Sequence, residues 1–255
     1  MYQHDLDPIA FNLFDISIAW YWLFYPLGFF IVYYLSCNYL NKTEKDFDKK
    51  KFIDFAVIIW LSVVLGGRLG YFLFYQPYLL FHEPTSVLQI WRGGMSFHGA
   101  LLFCILASFA LKKYKQFPIY KYGRAILIFL PFALFLGRIG NFINGELWGT
   151  PSNLPWAMIF PKADFIPRHP SQLYEAILEG PILFLCIWKT KDKISPIISF
   201  ILFYGLFRFI TEFTREADRH LGYFAGLSLG QYFCLSMILG ALCYLFFQKR
   251  CARHL

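Results

Sequence analysis

Charge is scarce in this chain. Only 16% of its 255 residues are Asp, Glu, Lys or Arg, and only 16 are acidic. A water-soluble domain of that length would not carry so many long apolar runs with so little charge between them. The six cysteines (Cys37, Cys104, Cys186, Cys234, Cys243 and Cys251) form no Cys-x-x-Cys and no paired spacing, and five sit inside apolar segments. They read as small packing residues, which argues against a disulfide framework or a thiolate metal site. No Gly-x-Ser-x-Gly elbow and no phosphate-binding loop is present, so serine-hydrolase and nucleotide chemistry lack support. No linker or low-complexity segment divides the chain. Residues 1–15 lack the basic region and apolar core of a cleavable signal sequence. Their acids Asp5, Asp7 and Asp15, with no Lys or Arg, suit a tail outside the cytoplasm.

What is there is apolar: 58% of residues are hydrophobic and the mean hydropathy is +0.47. Seven stretches approach the roughly 20 helical residues that cross a ~30 Å hydrocarbon layer. They fall at about 17–40, 52–79, 95–111, 122–140, 172–188, 195–211 and 228–248. The expected fold is an all-α polytopic membrane protein, a single transmembrane domain over residues 1–255 with an outer loop region at 141–171. Of the 24 Lys and Arg, five lie in 41–51, five in 112–124, three in 189–193 and three in 249–255. The alternate joins hold only Arg92, Lys162, Arg168, Arg215 and Arg219. By the positive-inside rule the N-terminus is outside and the C-terminus cytoplasmic. The formal charge of +8 is therefore a topology signal and a contact with membrane lipids, with no nucleic acid implied.

Three basic residues remain: Arg68, Arg138 and Arg208. They follow the last cytoplasmic basic residue of their spans (Lys51, Arg124 and Lys193) by 17, 14 and 15 positions. At about 1.5 Å per residue each lies roughly 21–26 Å from the inner boundary. His98, 14 residues before Lys112 on an inward-running span, reaches the same layer. Guanidinium groups sharing a buried layer repel one another unless anions intervene, and arginine grips phosphate with a planar fork of donors. The anion expected there is an outer-leaflet lipid phosphate. The alternatives are arginines that snorkel to the interface and a histidine that only satisfies its helix. Tyr204, Arg208, Glu212 and Arg215 are spaced for one helical face, on which Glu212 can hold Arg208 in place. No second histidine stands at ligand spacing from His98, so neither metal nor cofactor is expected.

The densest cluster is Gly137-Arg138-Ile139-Gly140-Asn141-Phe142-Ile143-Asn144-Gly145-Glu146-Leu147-Trp148-Gly149. Polar groups at the end of an apolar helix are costly in a membrane unless they do chemistry or bind something. The alternative is a helix cap and polar loop at the water boundary. Residues 67–73 weakly echo residues 137–143.

This cluster resembles the signature of the prolipoprotein diacylglyceryl transferase family. Further segments agree in order: Trp20-Tyr21, Gly66 to Tyr71, Gly93 to Gly99, Arg168 to Glu175, and Tyr204 to Arg215. The resemblance covers essentially the whole chain. Ala100 departs from it, standing where the family often has glycine, and the outer loop from Thr150 to Pro167 is short. The resemblance implies a bacterial inner-membrane enzyme whose active site faces the periplasmic leaflet. Such an enzyme moves the diacylglyceryl group of phosphatidylglycerol onto the lipobox cysteine of a prolipoprotein signal peptide. It also implies essential roles for Tyr21, His98, Arg138, Asn141, Glu146, Gly149, Tyr204, Arg208, Glu212 and Arg215. With it, His98 is read as base, Arg138 and Arg208 as the phosphate clamp, and Arg68 as a supporting or access residue. The competing class is a transporter or flippase for an anionic lipid or solute, since intramembrane arginines and broken helices also serve transport.

Overall fold

The computed structural model describes residues 2–14, 16–89, 94–115, 117–216 and 223–251. Asp15, Arg92, Gly93, Arg219 and Arg253, which entered the sequence reading, lie outside them. The chain is mostly helical, and each of the seven apolar stretches carries helix. Among the described residues, four helices are long and apolar enough to cross a membrane. These are α1 (Trp20–Thr43), α2 (Lys49–Tyr75), α5 (Ile119–Asn144) and α9 (Leu229–Cys251). Between α2 and α5 lie α3 (Pro77–His82), a 3-10 turn (Pro84–Leu88) and α4 (Phe97–Lys115). Between α5 and α9 lie α6 (Ser171–Ile177), α7 (Leu183–Thr190) and the shorter apolar helix α8 (Pro196–Thr211).

The chain divides into two compact units, residues 35–125 and residues 1–34 with 126–255. In the first, Asp48 caps α2 by accepting a 2.9 Å bond from the Lys51 amide. α2 packs against α4 through small residues. A Cβ added at Gly70 would lie 2.6 Å from the Gly99 Cα, and one at Gly99 would strike the Gly66 carbonyl. This is the small-xxx-small contact that lets apolar helices meet backbone to backbone. The Ser96 amide bonds the Gly67 carbonyl at 2.8 Å, which ties the entry of α4 to α2.

In the second unit short strands, which the all-α expectation did not include, accompany the helices. β1 (Tyr2–Gln3) pairs in parallel with β4 (Met158–Ile159), which pairs with β5 (Pro167–Arg168). β2 (Ile9–Leu13) and β3 (Ile16–Ala19) form a hairpin, so residues 17–19 of the first predicted span are strand, and the helix starts at Trp20. β6 (Tyr223–Phe224) and β7 (Leu227–Ser228) form a second hairpin before α9. The N-terminal segment is no loose tail. His4 is buried, its Nε2 lies 2.6 Å from the Phe142 carbonyl, and its ring stacks on Phe160 with centroids 5.3 Å apart.

Two local features position the site. α5 runs to Asn144, four residues beyond the predicted end at 140, despite Pro131 within it. The fifth apolar stretch is broken instead: between α6 and α7, Leu178–Ile182 forms a π turn with Gly180 at φ −96°, ψ −109° and Pro181 behind it. Proline has no N–H for the helical ladder, so the break falls where the sequence weakens the helix. At this break the backbone of Gly180 approaches α5, where an added Cβ would lie 2.8 Å from the Phe135 Cβ. Phe135 is about one turn before Arg138.

Candidate active site

α5 carries Arg138 into a buried ionic network. Its Nε and Nη2 each lie 3.0 Å from Glu179 Oε2, and its Nη1 lies 2.8 Å from Glu175 Oε2. α8 carries Arg208, whose Nη1 sits 2.7 Å from Glu175 Oε1 and 3.5 Å from Glu179 Oε1. Its Nη2 is 2.8 Å from Glu212 Oε2, a close ion contact without an aligned hydrogen bond. Arg215 reaches the same Glu175 Oε1 at 3.5 Å. Three guanidinium groups thus face three carboxylates. Glu175 and Glu179 are 1% and 0% exposed, too deep to be charged without such partners.

This arrangement corrects two sequence expectations. Carboxylates from the protein itself separate Arg138 and Arg208, so neither needs a foreign anion to be stable where it lies. Arg215 is also not on the helical face of Tyr204 and Arg208. α8 ends at Thr211, Glu212 caps it, and Arg215 forms a backbone bridge to Gly149. The Thr214 hydroxyl donates to the Thr211 carbonyl at 2.9 Å, a local bond that competes with further helix.

The signature loop that follows α5 is tightly held. Glu146 Oε1 accepts from the Asn141 amide at 2.8 Å and lies 3.4 Å from that of Asn144, which ties the loop to the end of the helix. Gly145, at φ 60°, makes the left-handed turn that ends many helices. Leu147 takes φ 57°, unusual for a residue with a branched side chain. The segment is pinned from outside: Lys162 Nζ donates to the Asn144 carbonyl at 2.6 Å, and Gln172 Nε2 to the Glu146 carbonyl at 2.6 Å. Ser171 Oγ donates to the Leu147 carbonyl at 3.0 Å. Gly149 sits where backbones converge. A Cβ there would lie 2.6 Å from the His169 Cβ and strike the Thr214 carbonyl.

Beside this loop Arg168 forms a latch. It grips Asp164 with two bonds, Nε to Oδ1 at 3.1 Å and Nη2 to Oδ2 at 2.6 Å. Its Nη1 donates to the Gly149 carbonyl and to Glu216, each at 3.0 Å. The hydrogen bonds to Asp164 hold its guanidinium above the ordinary arginine range, so it is cationic at every working pH. Trp148 Nε1 donates to the same Glu216 at 3.1 Å.

A family model described as prolipoprotein diacylglyceryl transferase matches residues 8–247. The chain belongs to that family. It is 45% identical over 250 residues to the phosphatidylglycerol–prolipoprotein diacylglyceryl transferase of Bordetella avium, covering 93% of each chain. The identity is 43% over 242 residues to the protein of the same name from Oleidesulfovibrio alaskensis, covering 92% of this chain and 91% of the relative. With that of Pseudomonas fluorescens it is 42% over 247 residues, covering 93% and 92%.

Within this transferase-family chain the sequence-predicted residues fall into three sets. Arg138, Asn141, Glu146, Gly149, Arg208, Glu212 and Arg215 meet around the end of α5 and the end of α8, as described above. Tyr21, in the first turn of α1, shares a 2.7 Å hydrogen bond with Tyr25, and Gly140 lets its ring close on α5. Tyr204 stacks on Phe200 one turn away. Arg68 and His98 belong to the other unit. Arg68 is buried, and its donors meet the carbonyls of Ser86 (2.7 Å), Gln89 (2.8 Å), Val87 (3.0 Å) and Gly94 (3.1 Å). It therefore ties Ser86, Val87, Gln89 and Gly94 to α2. His98 is exposed in the first turn of α4. Sequence reasoning missed Glu175 and Glu179. Their signal was two acids four residues apart inside an apolar stretch.

Proposed function

We propose that this chain transfers the diacylglyceryl group of phosphatidylglycerol to the thiol of a prolipoprotein cysteine. Family membership over residues 8–247 supports the reaction class. The observation that carries the chemistry is the convergence of Arg138, Arg208 and Arg215 on one carboxylate, that of Glu175. Guanidinium groups from separate segments with a common focus make a receptor for a phosphate diester.

The cysteine sulfur attacks the glycerol carbon that carries the phosphate ester. A carbon–sulfur bond forms, the carbon–oxygen bond to phosphate breaks, and glycerol phosphate leaves with the bonding pair. The thiol must lose its proton, because a pKa near 8.5 leaves it mostly neutral at pH 7. In this reading His98 accepts that proton. Arg138, Arg208 and Arg215 stabilise the charge that gathers on the departing phosphate, in a poorly hydrated site where such donors lower a barrier by several kcal/mol. Tyr21 and Asn141 orient the headgroup, and Tyr204 lines the wall. Glu146 and Gly149 keep the signature loop in shape, and Glu212 aims Arg208. Arg68 supports the other unit's fold. The chain crosses the bacterial inner membrane seven times with its N-terminus outside, the active site opens toward the periplasmic leaflet, and the peptide substrate presents a lipobox cysteine.

The test is incubation of the purified protein with phosphatidylglycerol and a lipobox peptide, followed by mass analysis of the peptide. A gain of one diacylglyceryl unit supports the reading. An unchanged peptide alongside movement of lipid between leaflets overturns it in favour of transport.

A further inference from the structure

Glu175 touches more cations than any other carboxylate the network contains. Its Oε2 faces Arg138 at 2.8 Å, and its Oε1 faces Arg208 at 2.7 Å and Arg215 at 3.5 Å. The other two acids are placed differently. Glu179 pairs chiefly with Arg138, and Glu212 pairs with Arg208 and accepts a 3.1 Å bond from Ser228. A carboxylate and the phosphate diester of a lipid share two features: one negative charge, and two terminal oxygens to present to donors. Glu175 thus occupies the focus of the three arginines with the charge and the oxygens that a lipid phosphate would bring.

We infer that Glu175 is an internal surrogate for the lipid phosphate, holding Arg138, Arg208 and Arg215 at the site until the lipid displaces it. The inference rests on the reading that these arginines bind phosphatidylglycerol. Three guanidinium groups against three carboxylates leave the resting network balanced. An arriving phosphate adds a charge, so the arginine contacts of Glu175 pass to the lipid. After the carbon–oxygen bond breaks, the leaving glycerol phosphate holds the same contacts, and the returning carboxylate competes it off. Glu175 therefore weakens lipid binding and speeds product release. A merely structural ion pair would do neither.

Glu175→Gln keeps the size of the side chain and removes its charge. Binding of dihexanoyl-phosphatidylglycerol to detergent-solubilised protein, followed by calorimetry, is expected to tighten by roughly tenfold or more. Inhibition by glycerol phosphate should tighten alongside, with kcat lower and KM lower together. Unchanged or weaker binding in a folded variant overturns the inference. If the glutamine variant does not fold, Glu175→Ala gives a second reading. Inorganic phosphate should raise its melting temperature more than that of the wild type, or restore its folding. Failure to do either overturns the inference. Failure of the underlying reading looks different: the wild-type protein itself would not bind the short-chain lipid.

Discussion

Arg138→Met is the substitution whose cost the structure specifies most fully. It removes three N···O contacts at 3.0, 2.8 and 3.0 Å. Glu175 keeps Arg208 at 2.7 Å and Arg215 at 3.5 Å, so it stays paired. Among the described residues Glu179 keeps only the 3.5 Å approach of Arg208, and its Oε1 is a buried oxygen without an aligned donor. The penalty therefore falls on Glu179, which is 0% exposed. Removing one partner of a buried ion pair costs about 3–5 kcal/mol, most of it from the charge left behind. Neutralising that charge should recover most of the loss. Equilibrium unfolding in mixed micelles should show Arg138→Met less stable by about 3–5 kcal/mol. The double variant Arg138→Met/Glu179→Gln should be more stable than Arg138→Met by about 2 kcal/mol or more, because it removes the uncompensated buried charge. Loss of less than about 0.5 kcal/mol in Arg138→Met, as for an ordinary surface substitution, would refute the burial argument. A double variant no better than Arg138→Met would refute the pairing.

Other expectations follow from single contacts. Gly149→Ala forces backbone apart at Thr214 and His169; transferase activity should be lost while the protein still inserts, and full activity would contradict the close approach. Gly99→Ala should lower the melting temperature because it opens the α2–α4 contact, whereas Gly123→Ala, with open space around it, should not; equal effects would contradict that packing. His4→Phe keeps ring packing but deletes the 2.6 Å bond to the Phe142 carbonyl. The Gly145 amide still donates to that carbonyl at 2.9 Å, so the loss should be that of one hydrogen bond, about 0.5–1.5 kcal/mol, readable in the same unfolding assay. His98→Gln and Arg138→Ala separate the roles in turnover: near-normal activity in the first removes the proposed base, and in the second the proposed clamp.

The helices were legible because apolar runs of about 20 residues have few other uses. The strands were not. β1, β4 and β5 are two residues each, too short to show an alternation. Arg138, Asn141 and Glu146 were visible as polar residues clustered at the end of an apolar run, and Glu212 was visible as the partner of Arg208 at helical spacing. Glu175 and Glu179 escaped because depth was reckoned for cations alone; the same reckoning applied to acids exposes two buried charges that need partners. Arg215 was carried onto the α8 face by extending the helical spacing past Thr211, where threonine hydroxyls begin to bond their own backbone. Arg68 shows the limit of counting charges. Its burial depth suggested an anion, while among the described residues it meets four carbonyls, whose positions no spacing rule supplies.

A structure of the protein with dihexanoyl-phosphatidylglycerol measures directly where a lipid phosphate binds. The phosphate should lie within hydrogen-bonding distance of Arg138, Arg208 and Arg215, with the Glu175 carboxylate moved away from at least one of them. A phosphate bound elsewhere, with the arginine–glutamate contacts intact, would contradict the account.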